Sequence, residues 1–119
     1  MWPNGILGLA LAGQQMVVGE WDGGAVRTTH EAFGGRAMMM DGSTNLSDHA
    51  THVAGTLVGG TVNATAKGMA YQATLHAYDW DNDEAEMALA AANGLLVSNH
   101  SYGLITGWAF GDFAATGTN

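Results

Sequence analysis

Ser47-Asp48-His49-Ala50-Thr51-His52-Val53-Ala54-Gly55-Thr56 decides how the chain folds, because it reads as a helix start set between two apolar runs. Ser47 carries the hydroxyl that caps a first turn, and Asp48 places negative charge beside the exposed amides there. From His49 to Val58 the residues are small or apolar, as a helix packed closely on a sheet requires. His49 and His52 stand one turn apart on adjacent parts of that helix. They admit two chemistries: His49 as the general base of a nucleophilic hydrolase, or both histidines as a metal pair.

Upstream, Met16-Val17-Val18-Gly19-Glu20-Trp21 reads as a mostly buried strand, stopped by Asp22-Gly23-Gly24, where two glycines permit backbone angles other residues avoid. Asp22 thus sits at a strand's carboxyl end. Arg36-Ala37-Met38-Met39-Met40-Asp41 is too short for a helix and predicts a second strand. Its neighbouring methionines point to opposite faces and cannot share one ion.

Downstream, the alternation of Thr74-Leu75-His76-Ala77-Tyr78 predicts a third strand. The acidic run Asp79 to Glu86 echoes a calcium loop, but Glu84 and Ala90 stand where an EF-hand needs Gly and Glu. The plainer reading is a capping box of Asp83 and Glu86, opening a helix through Ala92 that Gly94 ends. Leu95 to His100 is a fourth strand, with Ser101-Tyr102-Gly103 at its carboxyl end. Leu104 to Asn119 is rich in Gly, Thr and aromatic residues without clear periodicity, and predicts an irregular tail. This alternation predicts an α/β fold with a mostly parallel sheet and helices on both faces. In such sheets ligands gather at the carboxyl ends of strands, where Asp22 and Ser101 to Gly103 lie.

Composition narrows the function. A chain of 119 residues fits one domain at most. Eleven acids stand against three bases (Arg27, Arg36, Lys67), for a formal charge of -8, which argues against nucleic acid as a partner. The absence of cysteine removes disulfides, thiolate metal sites and a cysteine nucleophile. The apolar run Ile6 to Ala12 is short, has nothing basic before it and leads almost at once into a strand, which argues against a secretory signal. No stretch reaches the roughly 18 apolar residues of a membrane span.

Two segments in order, MVVGEWDGG at Met16 to Gly24 and DHATHVAGT at Asp48 to Thr56, resemble the subtilisin-like serine peptidases, whose triad runs Asp, His, Ser. The resemblance implies a three-layer subtilisin-like fold, with Asp22 as the acid that orients the imidazole, His49 as the base and His52 as a structural residue. AKGMAYQATLHAYDW at Ala66 to Trp80 resembles the turn and strand after the histidine helix. VSNHSYG at Val97 to Gly103 is similar to the strand bordering the primary specificity pocket, which implies that Ser101, Tyr102 and Gly103 line a bound peptide. The resemblance runs from Gln14 to Gly103, leaving residues 1–13 as a lead-in and 104–119 as a tail.

Three departures accompany it. Ala50 replaces the usual Gly after the histidine, and Gly23 the commoner Ser or Thr after the aspartate. The third is the nucleophile: Ser43 and Ser47 flank the histidine motif, Ser98 lies in a strand, and Ser101 belongs to the substrate-lining match. Gly117-Thr118-Asn119 echoes Gly-Thr-Ser but lacks a following helix. The resemblance therefore implies the amino-terminal half of a catalytic domain, inactive alone, whose partners are a peptide or protein substrate and the remaining carboxyl-terminal half. It implies an extracellular setting and no cofactor, structural calcium being a property of the full-length family. The alternative is a non-catalytic subtilase-like module that binds peptide or a partner.

Overall fold

The computed structural model describes residues 10–103, together with the backbone of 107–109 and 112–114. Its centre is the apolar run after Gln15, which forms β1 (Val17–Asp22). The remaining elements of the sheet and its two helices are β2 (Ala37–Met39), α1 (Asp48–Val58), β3 (Thr74–Asp79), α2 (Asp83–Ala92) and β4 (Ser98–His100). The four strands lie in the order β2-β3-β1-β4, all parallel. In the register of β1 with β3, Val17 stands opposite Thr74 and Asp22 opposite Asp79. Gly19 to Trp21 pair with Ser98 to His100 on the other side. β1 is buried almost throughout, as a strand covered on both faces must be.

One face of the sheet carries the core. Val18, Leu75 and Ala77 pack under Ala50, Ala54 and Val58 of α1, with Val26 and Phe33 closing one side. The alanines let the helix lie close. Arg36 fixes its far end, donating through Nη1 to the Ala73 carbonyl at 2.7 Å and through Nη2 to the Val58 carbonyl at 2.8 Å. A guanidinium there also suits the negative end of the helix dipole.

The other face is built from aromatic rings. Trp21 is fully buried, stacked on Tyr78 with centroids 4.2 Å apart and on His100 at 5.4 Å. Its indole N–H needs an acceptor once buried. Glu86 of α2 supplies one, Trp21 Nε1 donating to Glu86 Oε2 at 3.1 Å. That bond explains a departure from the sequence reading, because Asp83 and Glu86 form no capping box. Asn82 is the N-cap, in the left-handed region at φ 61° and with no side-chain capping bond among the described residues. Asp83 instead accepts from the Glu84 amide and from the Tyr102 hydroxyl.

Two strands, β2 and β4, are shorter than the sequence predicts, β2 spanning Ala37–Met39 rather than Arg36 to Asp41. β4 begins at Ser98 rather than Leu95, since β1 offers it pairing only from Gly19 onward, and Leu96 is left 81% exposed. The tail is also not wholly irregular: β5 (Gly107–Ala109) and β6 (Asp112–Ala114) pair as an antiparallel ribbon. Three-residue strands are too short to display alternation. Most of the apolar run from Ile6 and the triplet Gly117-Thr118-Asn119 lie outside the described residues. Among the described residues no helix is long and apolar enough to cross a membrane.

Candidate active site

The loop after β1 and the loop before α1 are tied edge to edge. The Ala25 amide donates to the Asn45 carbonyl at 2.8 Å, the Ser47 amide donates to the Ala25 carbonyl at 2.9 Å, and Ala25 and Leu46 form an isolated parallel bridge. Gly24 makes this approach possible. Its φ is +120°, and a Cβ placed there would stand 2.8 Å from the Asn45 carbonyl oxygen. Ser47 then caps α1, accepting from the Ala50 amide at 3.1 Å. Thr51 locks the turn by accepting from the Arg27 amide and donating to the Ser47 carbonyl. These contacts carry the end of β1 to the first turn of α1.

There His49 Nδ1 lies 2.7 Å from Asp22 Oδ1, which also accepts from the Gly23 amide at 2.7 Å. Asp22 is 3% exposed at its side chain, while that of His49 is 59% exposed. A buried carboxylate on Nδ1 selects the tautomer with the proton on that nitrogen and leaves Nε2 as an acceptor facing outward. Such a pair can take a proton from a hydroxyl and stabilise the imidazolium formed.

The acid has a neighbour that sequence reading overlooked. Glu20, two residues earlier on the same face of β1, is fully buried, and neither of its carboxyl oxygens has a hydrogen-bond partner among the described residues. Asp22 Oδ2 likewise has none. Burial, and secondarily the charge of Asp22, push the Glu20 carboxyl up to about 8. The available signal was a glutamate alternating with Val18 and Asp22 inside an apolar strand.

A cleft of about 280 Å³ opens in front of the pair, lined by Asp22, Gly23, Ser47, His49, Trp80, Ser101 and Tyr102. Ser101 and Tyr102 therefore share it with His49, whereas Gly103 is exposed and does not line it. Trp80 is a second residue that sequence reading missed. Its ring lies 3.1 Å from where a Cβ on Gly23 would stand, so the indole fills the space a Ser or Thr would use. Trp80 also meets Tyr102 edge-on at 5.8 Å. The Tyr102 hydroxyl donates to Asp83 Oδ2 at 2.6 Å, and burial together with Asp83 holds its ionisation well above the ordinary tyrosine range.

Ala50 is completely buried beneath α1, where its methyl contributes to the core. His52, read as a packing residue, is instead exposed and lines a separate cleft of about 690 Å³ with Arg27 and Lys67. That larger cleft includes neither Asp22 nor His49, so its size has no bearing on the acid–base pair. Among the described residues no three His, Cys, Asp or Glu side chains gather as a metal site.

Among the described residues no serine is hydrogen-bonded to His49. Ser47 Oγ is the helix cap, Ser98 Oγ lies 3.0 Å from His100 Nε2, and Ser101 Oγ accepts from Asn99 Nδ2 at 2.9 Å. The Ser43 amide donates to Asp41.

A sequence profile described as the subtilase family matches residues 31–114, which includes His49 and the Ser101 to Gly103 segment and begins after Asp22. Comparison with curated proteins gave no match.

Proposed function

The chain belongs to the subtilase family, and from that premise we propose that it carries the acid and the base of a serine endopeptidase without its nucleophile. The observation that carries this reading is the 2.7 Å bond between buried Asp22 and exposed His49, formed across two separate elements. Asp22 orients the imidazole, His49 Nε2 takes the proton of an attacking serine, and the imidazolium returns it to the leaving amine. Ser101, Tyr102 and Gly103 offer backbone to the substrate peptide beside the same cleft. The chemistry needs no cofactor.

The serine and the groups that stabilise the oxyanion come from a carboxyl-terminal half that residues 1–119 do not supply. Alone, the chain hydrolyses no peptide bond above background. In subtilisin itself, loss of the serine lowers turnover on the order of a millionfold. An extracellular setting and protein or peptide substrates follow from the same reading.

The second reading is a subtilase-like module that binds peptide without cleaving it, favoured by the engagement of Ser47, Ser98 and Ser101, among the described residues, with partners other than His49. Sequencing the transcript beyond the codon for Asn119 separates the two. A downstream Gly-Thr-Ser-type motif supports the peptidase, and a natural chain terminating at Asn119 leaves the binding module.

A further inference from the structure

Among the described residues no group donates to three oxygens on one face of β1: both of Glu20 and Oδ2 of Asp22. Buried acceptors without donors are rare, because each forfeits its hydration with nothing in return. Sharing one proton between the two buried carboxyls partners two of these three oxygens, turning one carboxyl into a donor and leaving a single negative charge. The two Cα atoms are two strand residues apart, about 6.6 Å. A glutamate leaning along the strand spans that distance.

Resting on the Asp22–His49 reading, we propose that Glu20 is a positioning residue for that pair: its buried carboxylic acid donates to Asp22 Oδ2, the oxygen His49 leaves free. One proton and one charge are then held by the two carboxyls together. Asp22 Oδ1 remains committed to His49 Nδ1 and the Gly23 amide, and the second lone-pair site is fixed from below. The aspartate cannot rotate without breaking both sets of bonds. Glu20 touches neither substrate nor the reacting atoms.

The surroundings favour this assignment. The elements packed on this face bring Ala50, Ala54 and Val58 from α1, Ala77 from β3 and Asn99 from β4, none of them titratable. Among the described residues Asp22 is the charged group that acts on Glu20, with His49 beyond it and Asp79 paired to Asp22 across the sheet. The upward push of Glu20 to about 8 agrees with an acid that keeps its proton at neutral pH.

The test is NMR on the chain labelled with ¹³C-glutamate and ¹⁵N-histidine, followed from pH 3 to 10. The expected result is a Glu20 Cδ midpoint near 8, absent in Glu20→Gln, with an inflection of His49 Nδ1 at the same midpoint. Glu20→Gln, whose amide also donates, keeps the neutral-pH His49 spectrum, whereas Glu20→Leu displaces it. A Glu20 midpoint in the ordinary carboxylate range overturns the proposal. So does a His49 spectrum with no inflection at the Glu20 midpoint, which the unsubstituted chain alone reveals if either variant fails to fold. Peptidase activity is not read, so a failure of the catalytic reading is distinct: it is seen when Asp22→Asn leaves His49 unchanged.

Discussion

His49 and Asp22 meet at 2.7 Å although 27 residues separate them, one on the first turn of a helix and the other at the end of the central strand. The pairing depends on the Ala25 to Asn45 and Ser47 to Ala25 bonds, which hold the two loops side by side. Acid and base are thereby set by backbone contacts rather than by the length of either side chain.

The first consequence concerns Asp22. In a form of the enzyme that carries the serine, Asp22→Asn lowers kcat on the order of 10⁴-fold, because the amide favours the wrong imidazole tautomer. Steady-state kinetics with a peptide substrate, alongside circular dichroism to show an intact fold, checks this.

Gly24→Ala tests the loop contact that brings the pair together. An alanine at φ +120° with its Cβ 2.8 Å from a backbone oxygen must strain or shift the loop. The expected loss is about 1–3 kcal/mol. Urea denaturation measures it, and a variant as stable as the parent contradicts the account.

Ser47→Ala removes the cap of α1, whose hydroxyl accepts from the Ala50 amide at 3.1 Å. The cost is about 1 kcal/mol. Ser47→Asp, which keeps an acceptor at the cap, recovers most of it in the same denaturation experiment.

Glu20 gives stability a pH dependence whose sign can be worked out. Its folded-state value is raised to about 8 from 4.5, so between these values the unfolded chain has released a proton that the folded chain retains. The unfolded state binds fewer protons there, and stability falls as pH rises through that window. Ionisation of folded Glu20 ends the decline above about 8. Glu20→Gln removes this slope, with a gain relative to the parent on the order of a few kcal/mol at pH 8.5. Denaturation at pH 5 and pH 8.5 reads the difference.

Much of this architecture was legible in the residues. β1, β3 and α1 announce themselves because burial on a parallel sheet demands apolar runs, and a close-packed helix demands the small residues of Ala50 to Gly55. That Asp22 and His49 come together was legible from motif order. Glu20 and Trp80 were not, since their surroundings come from distant segments: Ala77 and Asn99 beside Glu20, and Gly23 beneath Trp80. The capping box at Asp83 was misread for the same reason. Local sequence offered Glu86 to the helix end, and buried Trp21, 65 residues away, claimed it. The packing role assigned to His52 failed because helix position alone does not say which face meets the sheet.

The most direct measurement of the acid–base pair is the tautomer of His49, read from ¹⁵N shifts of the histidine-labelled chain at a pH where the imidazole is neutral. The expected result is a proton on Nδ1 and a bare Nε2, with that preference lost in Asp22→Ala. A proton found on Nε2, or the same spectrum in the parent and in Asp22→Ala, contradicts it.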